Sequence, residues 1–223
     1  MKDIELKKEF KIDLKLVNQF LDFLTITNQK MNLTAIVNKE EMIEKHIVDS
    51  LLISKAYDFK NKLVLDVGSG GGFPGIPLAI MFPSAHFVLL DATRKKTDYL
   101  KEAVTLLKLK NVEVKCARVE ELNEKEKYDV VIARALAELR IYLELVTYLV
   151  KVKGNVIALK GKNASDELKD ADNAIKKLNL SLNKIQSASI PSGEKRMNFV
   201  FTKTKVTDQH YPRKFSDIKK RPL

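Results

Sequence analysis

Asp66, Gly68, Gly70, Gly72, Asp91, Arg134 and Lys160 are residues whose types and spacing could do chemistry together. The run Leu63-Val64-Leu65-Asp66-Val67 is apolar, of strand length, and falls straight into Gly68-Ser69-Gly70-Gly71-Gly72-Phe73-Pro74-Gly75. A helix, Pro77-Leu78-Ala79-Ile80-Met81, is expected next. Strand, glycine turn and helix bring backbone N–H groups close to a nucleotide-like ligand. Glycine suits such a turn because φ must be positive there, and a Cβ would hold the ligand off the backbone. Asp91 closes the next apolar run, His86-Phe87-Val88-Leu89-Leu90, about 20 residues on, where a carboxylate can accept both hydroxyls of an adenosine ribose. Arg134 and Lys160 end two later runs, and two cations at one rim fit an anionic substrate such as a phosphate backbone.

The glycines admit two parses. Gly68-x-Gly70-x-Gly72 has the spacing of S-adenosylmethionine (SAM) methyltransferases, while Gly70-x-Gly72-x-x-Gly75 satisfies the dinucleotide fingerprint. The second parse opens late, beyond the strand end, so the first is preferred. Arg118-Val119-Glu120 follows a third strand, at the place where a methyltransferase covers adenine with a backbone N–H and an apolar wall.

The elements that position these residues alternate strand and helix from Leu63 onward, the pattern of a parallel doubly wound sheet. Strands are expected at Val112–Cys116, Tyr128–Ala133 and Asn155–Lys160, with helices from Arg94 to Leu107, Leu136 to Val150 and Ala164 to Leu178. Two antiparallel strands, near Ser181 to Ile190 and Arg196 to Lys203, join through the turn Pro191-Ser192-Gly193. The fold class is therefore α/β, Rossmann-like, with a largely parallel seven-stranded sheet. Residues 1–58 form a helical N-terminal cap, 59–203 the cofactor-binding domain and 204–223 a basic tail. In the cap, Phe10, Leu14, Val17, Leu21 and Leu24 make one apolar stripe, and His46, Asp49 and Ser50 share a helix face that spacing alone reads as solvated. The tail interleaves Tyr211 and Phe215 with seven basic residues counted from Lys203, which suits a strand-tracking, base-stacking arm or a solvated end.

With 223 residues the chain can bury a real core, and 40 Lys and Arg against 29 Asp and Glu give a net charge of +11. That charge favours a polyanionic partner. No apolar run reaches membrane-span length, and Met1–Glu9 lacks an apolar signal region, so a cytoplasmic protein is expected. One cysteine, Cys116, excludes an internal disulfide or a cysteine zinc cluster and reads as a buried small hydrophobe.

Absences narrow the chemistry further. After the fourth strand stands Ala133-Arg134-Ala135-Leu136 and not the proline-aromatic motif of adenine or cytosine amino methyltransferases. Cys116 is misplaced for pyrimidine C5 attack, and no second domain is available for a dehydrogenase substrate. What remains suits an acceptor that is already nucleophilic.

Asn32-Leu33-Thr34, His46-x-x-Asp49-Ser50, Asp66 to Leu78, Arg118-Val119-Glu120, Arg134-Ala135 and Ala158-Leu159-Lys160-Gly161 together resemble the GidB/RsmG family, bacterial small-subunit rRNA guanine-N7 methyltransferases. The resemblance runs from about Gln29 to Lys203 and leaves the tail outside it. It implies transfer of methyl from SAM to N7 of a guanine, conventional position 527, in 16S rRNA of the 30S subunit. It also implies cofactor contacts from Asp66, Gly68, Ser69, Gly70, Gly72, Phe73, Asp91, Ala92, Thr93, Val119, Glu120 and Arg134. Because N7 carries a lone pair and no proton, no general base is required. Positioning by Arg134, Lys160 and His46 would do the work, and neither a metal nor a membrane is called for. A monomer is the default. A SAM enzyme acting on tRNA, protein or a small molecule, and a non-catalytic nucleotide- or RNA-binding module, are the competing readings.

Overall fold

The computed structural model describes residues 3–223; Met1 and Lys2, the first residues of the expected cap, lie outside them. Helices α1 (Asp3–Phe10) and α2 (Leu14–Met31) come first. They are followed by α3 (Lys39–Met42), a π-helical turn (Ile43–Val48), α4 (Asp49–Leu51) and a 3-10 turn (Leu52–Lys55). Next come β1 (Leu63–Val67), α5 (Gly75–Met81), β2 (His86–Asp91), α6 (Arg94–Leu106), β3 (Val112–Cys116), β4 (Tyr128–Arg134), α7 (Leu139–Val146) and β5 (Val150–Lys160). The chain ends with α8 (Ala164–Asp170), α9 (Asp172–Lys177), β6 (Leu180–Ser189), β7 (Lys195–Lys203) and α10 (Phe215–Lys220).

One seven-stranded sheet has the order β3-β2-β1-β4-β5-β7-β6. Strands β1 to β5 are parallel, and β7 runs antiparallel to β5 and β6. Parallel strands are covered on both faces, which is why β1, β2 and β4 read as nearly continuous apolar runs. Val64 of β1 packs with Phe20 of α2, Ile76 of α5 and Leu100 of α6 on one face. Its neighbours Leu65 and Val67 pack with Leu143 of α7, Ala174 of α9 and Ile218 of α10 on the other. Strand order reverses between β1 and β4, so the crevice beyond their carboxyl ends is the expected ligand site. Among the described residues no helix is long and apolar enough to cross a membrane.

Several local expectations are corrected. The stripe from Phe10 to Leu24 is split, because the Asp13 carboxylate accepts the N–H of Lys15 (2.9 Å) and Leu16 (3.3 Å) and starts a new helix at Leu14. The helix expected from Leu136 to Val150 is shorter: Ala135, at φ 53°, opens a loop before α7, and Val150 already pairs with Tyr128 as part of β5. The polar helix after Ala164 breaks at Ala171 into α8 and α9. Cys116 is exposed, because β3 is an edge strand whose residues are half-buried or exposed throughout. The tail is neither a free arm nor a solvated end. Lys203 is fully buried, donating to Glu126 (3.0 Å) and the Val150 carbonyl (2.8 Å), and Ile218 is buried on the α7 side of the sheet.

Candidate cofactor and acceptor sites

The glycine loop is held from below by one carboxylate and from the side by another. Asp66 is fully buried; its Oδ2 accepts the Gly75 N–H (3.0 Å), and among the described residues its Oδ1 has no hydrogen-bond partner. Burial pushes this carboxyl up to about 7, only partly offset by the neighbouring Ser69 hydroxyl, the Gly75 bond and the Arg134 charge. From the side, Asp91 accepts the Gly70 N–H on Oδ2 (3.0 Å) and the Thr93 N–H on Oδ1 (2.8 Å). The Leu90 carbonyl accepts from Gly68 (2.8 Å) and Ser69 (3.0 Å), which completes the seam between loop and β2.

The glycines divide by what a side chain would meet. A Cβ on Gly75 would lie 2.2 Å from Leu89 Cδ2 and 2.6 Å from Asp66 Oδ2, so this glycine lets α5 pack on β1 and β2. A Cβ on Gly70 would meet nothing nearer than the Gly68 carbonyl at 3.7 Å, and what reserves that position is its φ of 53°. Gly75→Ala is therefore expected to cost about 1–3 kcal/mol by overpacking. Chemical unfolding measures it, and a variant as stable as wild type would contradict the packing described.

Beside the loop, Gly68, Asp91, Ala92, Val119 and Glu120 line a cavity of about 150 Å³ with apolar walls from Leu90, Leu136 and Leu145. A second cavity, of about 550 Å³, lies beyond the ends of β4 and β5 and is lined by His46, Asp49, Arg134, Lys160 and Arg196. Ala137 borders both. Of the residues expected to touch cofactor, Asp66, Ser69, Gly70, Gly72, Phe73 and Thr93 line neither cavity. Asp66, Ser69 and Phe73 are buried.

The second cavity is built across the N-terminal helices. Asn28 on α2 clasps Thr34, donating to its carbonyl (2.8 Å) and accepting its N–H (2.9 Å), and thereby sets Thr34 Oγ1 2.8 Å from His46 Nε2. The π-helical turn carries His46 onto the Phe73 ring, with centroids 4.5 Å apart. Arg134 lies over the same ring at 5.0 Å, donates to the Lys45 carbonyl (3.0 Å) and Asp49 (3.3 Å), and sets Nη2 3.3 Å from His46 Nδ1. His46 Nδ1 also lies 3.2 Å from the Lys45 carbonyl, so this nitrogen sits between a guanidinium donor and a carbonyl acceptor while Nε2 faces Thr34. Burial, then the Arg134 charge, lowers His46 to about 4, so it is neutral at physiological pH. The His46, Asp49 and Ser50 face is thus buried and not solvated.

Sequence reasoning placed Arg134 and Lys160 here but missed their partners. Asp49 also accepts from Arg196 Nε (2.8 Å), so one buried carboxylate spans two guanidiniums. Lys160 donates to the Ala137 carbonyl and pairs with Glu167 (2.7 Å), which in turn accepts the Leu139 N–H (2.8 Å). Lys160 therefore ties down the loop between β4 and α7 and is no free cation at a rim.

A class I SAM-dependent methyltransferase has this architecture: a parallel sheet closed by an antiparallel hairpin, with a glycine loop and an acidic strand end on one cavity. Solved structures share it. A SAM-dependent methyltransferase from Aquifex aeolicus matches with TM-score 0.58 at 16% identity, covering 75% of this chain and 95% of that one. TYW2 of M. jannaschii, solved with AdoMet, matches with TM-score 0.58 at 18% identity, covering 76% and 79%. The chain belongs to the GidB family, whose sequence model, rRNA small subunit methyltransferase G, matches residues 13–198. Ribosomal RNA small subunit methyltransferase G of Mesoplasma florum is 41% identical, covering 92% of this chain and 87% of that protein. Its counterpart in Mycoplasma capricolum is 43% identical, covering 92% and 89%.

Proposed function

We propose that this enzyme transfers a methyl group from SAM to N7 of a guanine, conventional position 527, in 16S rRNA of the 30S subunit, acting as a cytoplasmic monomer. The observation that carries the choice of acceptor atom is the commitment of the groups in the larger cavity. Both His46 nitrogens are engaged, Asp49 holds two arginines, and Glu167 holds Lys160 and a backbone N–H. None of these is poised to take a proton, which suits an acceptor that has none to give.

The residues present fit the cofactor. The smaller cavity offers aliphatic walls for a base, and the Asp91 carboxylate at its rim keeps lone pairs beyond the two it gives to Gly70 and Thr93. When bound, SAM supplies a methyl group on a positively charged sulfur. Gly68, Asp91, Ala92, Val119 and Glu120 would hold the nucleoside, with Asp66, Ser69, Gly70, Gly72, Phe73 and Thr93 keeping the loop in shape. Arg134, His46 and Lys160 are positioning groups on the acceptor side. In this reading segment 1–58 supplies the acceptor wall, 59–203 the cofactor site and 204–223 a packed extension.

Support for an RNA partner comes from a groove of about 740 Å³ lined by Lys162, Ser165, Ser187, Ser189, Lys195 and Arg196. It shares Gly161 and Arg196 with the acceptor cavity. Exposed lysines beside serine hydroxyls suit a phosphate backbone leading to the target base. Replacing Lys162 and Lys195 together by alanine is expected to raise KM for the RNA substrate roughly tenfold and to flatten its salt dependence by roughly one to two units of slope. SAM affinity should stay as in wild type. An unchanged KM and slope would move the RNA path elsewhere.

The deciding experiment is methyl transfer from labelled SAM to 30S subunits and to deproteinised 16S rRNA from cells lacking the enzyme, mapped by N7-specific strand scission. Label at a single guanine is expected. Absence of label while SAM still binds would overturn the acceptor assignment.

A further inference from the structure

The tail packs against α7 through an ion pair. The Arg213 guanidinium donates to both oxygens of Glu144, at 2.6 Å each, and its backbone N–H adds a third bond at 3.2 Å. Glu144 is fully buried, and among the described residues its hydrogen bonds all come from Arg213. A carboxylate buried in an apolar helix face is costly without such a partner, so α7 is built to receive this segment. Five residues on, Ile218 is buried in the same cluster. Between these two anchors stands Phe215, half-buried, with the Lys219 ammonium 5.1 Å from its ring centroid.

Phe215 lines the smaller cavity together with Gly68, Asp91 and Val119. It is the only aromatic group among the described residues lining it; the other apolar walls are aliphatic. This segment also lies beyond the part of the chain that the family model matches, which ends at residue 198. We propose that the C-terminal segment completes the cofactor site, with Phe215 as the aromatic wall against which the adenine of SAM is positioned. The proposal rests on reading this cavity as the nucleoside site. A flat π-face suits a purine in a way that a branched aliphatic does not. The two anchors hold the ring in place before the cofactor arrives, so little ordering remains to be done on binding.

The test is calorimetric titration of the full chain with SAM and with 5′-methylthioadenosine, which keeps the nucleoside and lacks the amino-acid part. Phe215→Ala is expected to weaken both ligands by the same factor, roughly tenfold, and Phe215→Tyr to restore wild-type affinity. Gly70→Val serves as the control for the site itself. Wild-type affinity in Phe215→Ala, with binding lost in Gly70→Val, would overturn the role of Phe215 and leave the cofactor site standing. Wild-type affinity in both variants would overturn the site reading and this proposal with it. Weaker SAM with unchanged methylthioadenosine would also overturn it, since the base would not be the group touched. If Phe215→Ala does not fold, Phe215→Leu keeps the bulk without the π-face, and wild-type affinity there is equally decisive against the proposal.

Discussion

Replacing Asp49 by alanine is expected to destabilise the protein by about 3 kcal/mol and to slow methyl transfer by roughly 100-fold. Asp49 is buried and is the carboxylate shared by Arg134 (3.3 Å) and Arg196 (2.8 Å), whose side chains are 18% and 15% exposed. Removing it strands two poorly solvated cations at once, and breaking a buried pair from one side costs about 3–5 kcal/mol. The lower end applies because Arg134 keeps the Lys45 carbonyl and Arg196 keeps Glu194. Arg196→Ala should cost less, since Asp49 retains Arg134. The loss of rate follows from geometry. Asp49 holds the Arg134 head beside His46 and over Phe73, and a displacement of about 1 Å in a positioning group can cost a factor of 100. Urea unfolding of both single variants and the double variant gives the coupling between Asp49 and Arg196. Single-turnover transfer on the folded variants gives the rate effect. If Asp49→Ala unfolds at the wild-type urea concentration, the carboxylate does not carry the arginine pair.

What could be read from the sequence is local, and what could not is long-range. Asp66, the glycines and Asp91 lie on consecutive strand ends, so a strand-turn-helix pattern puts them together without knowledge of the fold. The parallel strands followed from apolar or alternating runs, and the antiparallel pair from the turn Pro191-Ser192-Gly193 that joins it. His46 and Asp49 were legible as neighbours on one face, but not as buried: what covers them is Arg134, 85 residues from Asp49, and Arg196, 147 residues away. Phe215 and Glu144 meet because α10 returns to α7, which no periodicity announces. Cys116 shows the converse error. An alternating apolar run looks buried until strand order puts it at the sheet edge. Ala135 is a smaller case, where a left-handed residue that is not glycine ends β4 and shortens the next helix, with no turn residue in the sequence to warn of it.

Acid should act on this protein through two buried groups of opposite sign. His46 titrates at 6.5 in the unfolded chain and about 4 in the folded one. As pH falls through that window the unfolded chain gains a proton that the folded chain refuses, and stability drops by up to about 3 kcal/mol. Asp66 titrates at 3.8 unfolded and about 7 folded. As pH falls from about 7 toward 3.8 the folded chain gains a proton first, and stability rises by up to about 4 kcal/mol; read upward, that stability is full below 3.8 and lost as pH rises through 7. The two nearly cancel in wild type. Each single variant should therefore reveal the other group. His46→Gln should gain stability relative to wild type as pH falls from about 6.5 to 4, and Asp66→Asn should lose it relative to wild type between about 7 and 4. Urea unfolding of the three proteins across that range measures both differences, and the surface carboxylates drop out because all three share them. Parallel profiles for the variants and wild type would mean that neither group is as desolvated as its surroundings require. The same neutrality of His46 leaves Arg134 as the cation next to Phe73 at working pH. Methyl transfer by His46→Gln should accordingly keep the wild-type pH dependence above about pH 6, where the histidine in the folded chain has no proton left to lose.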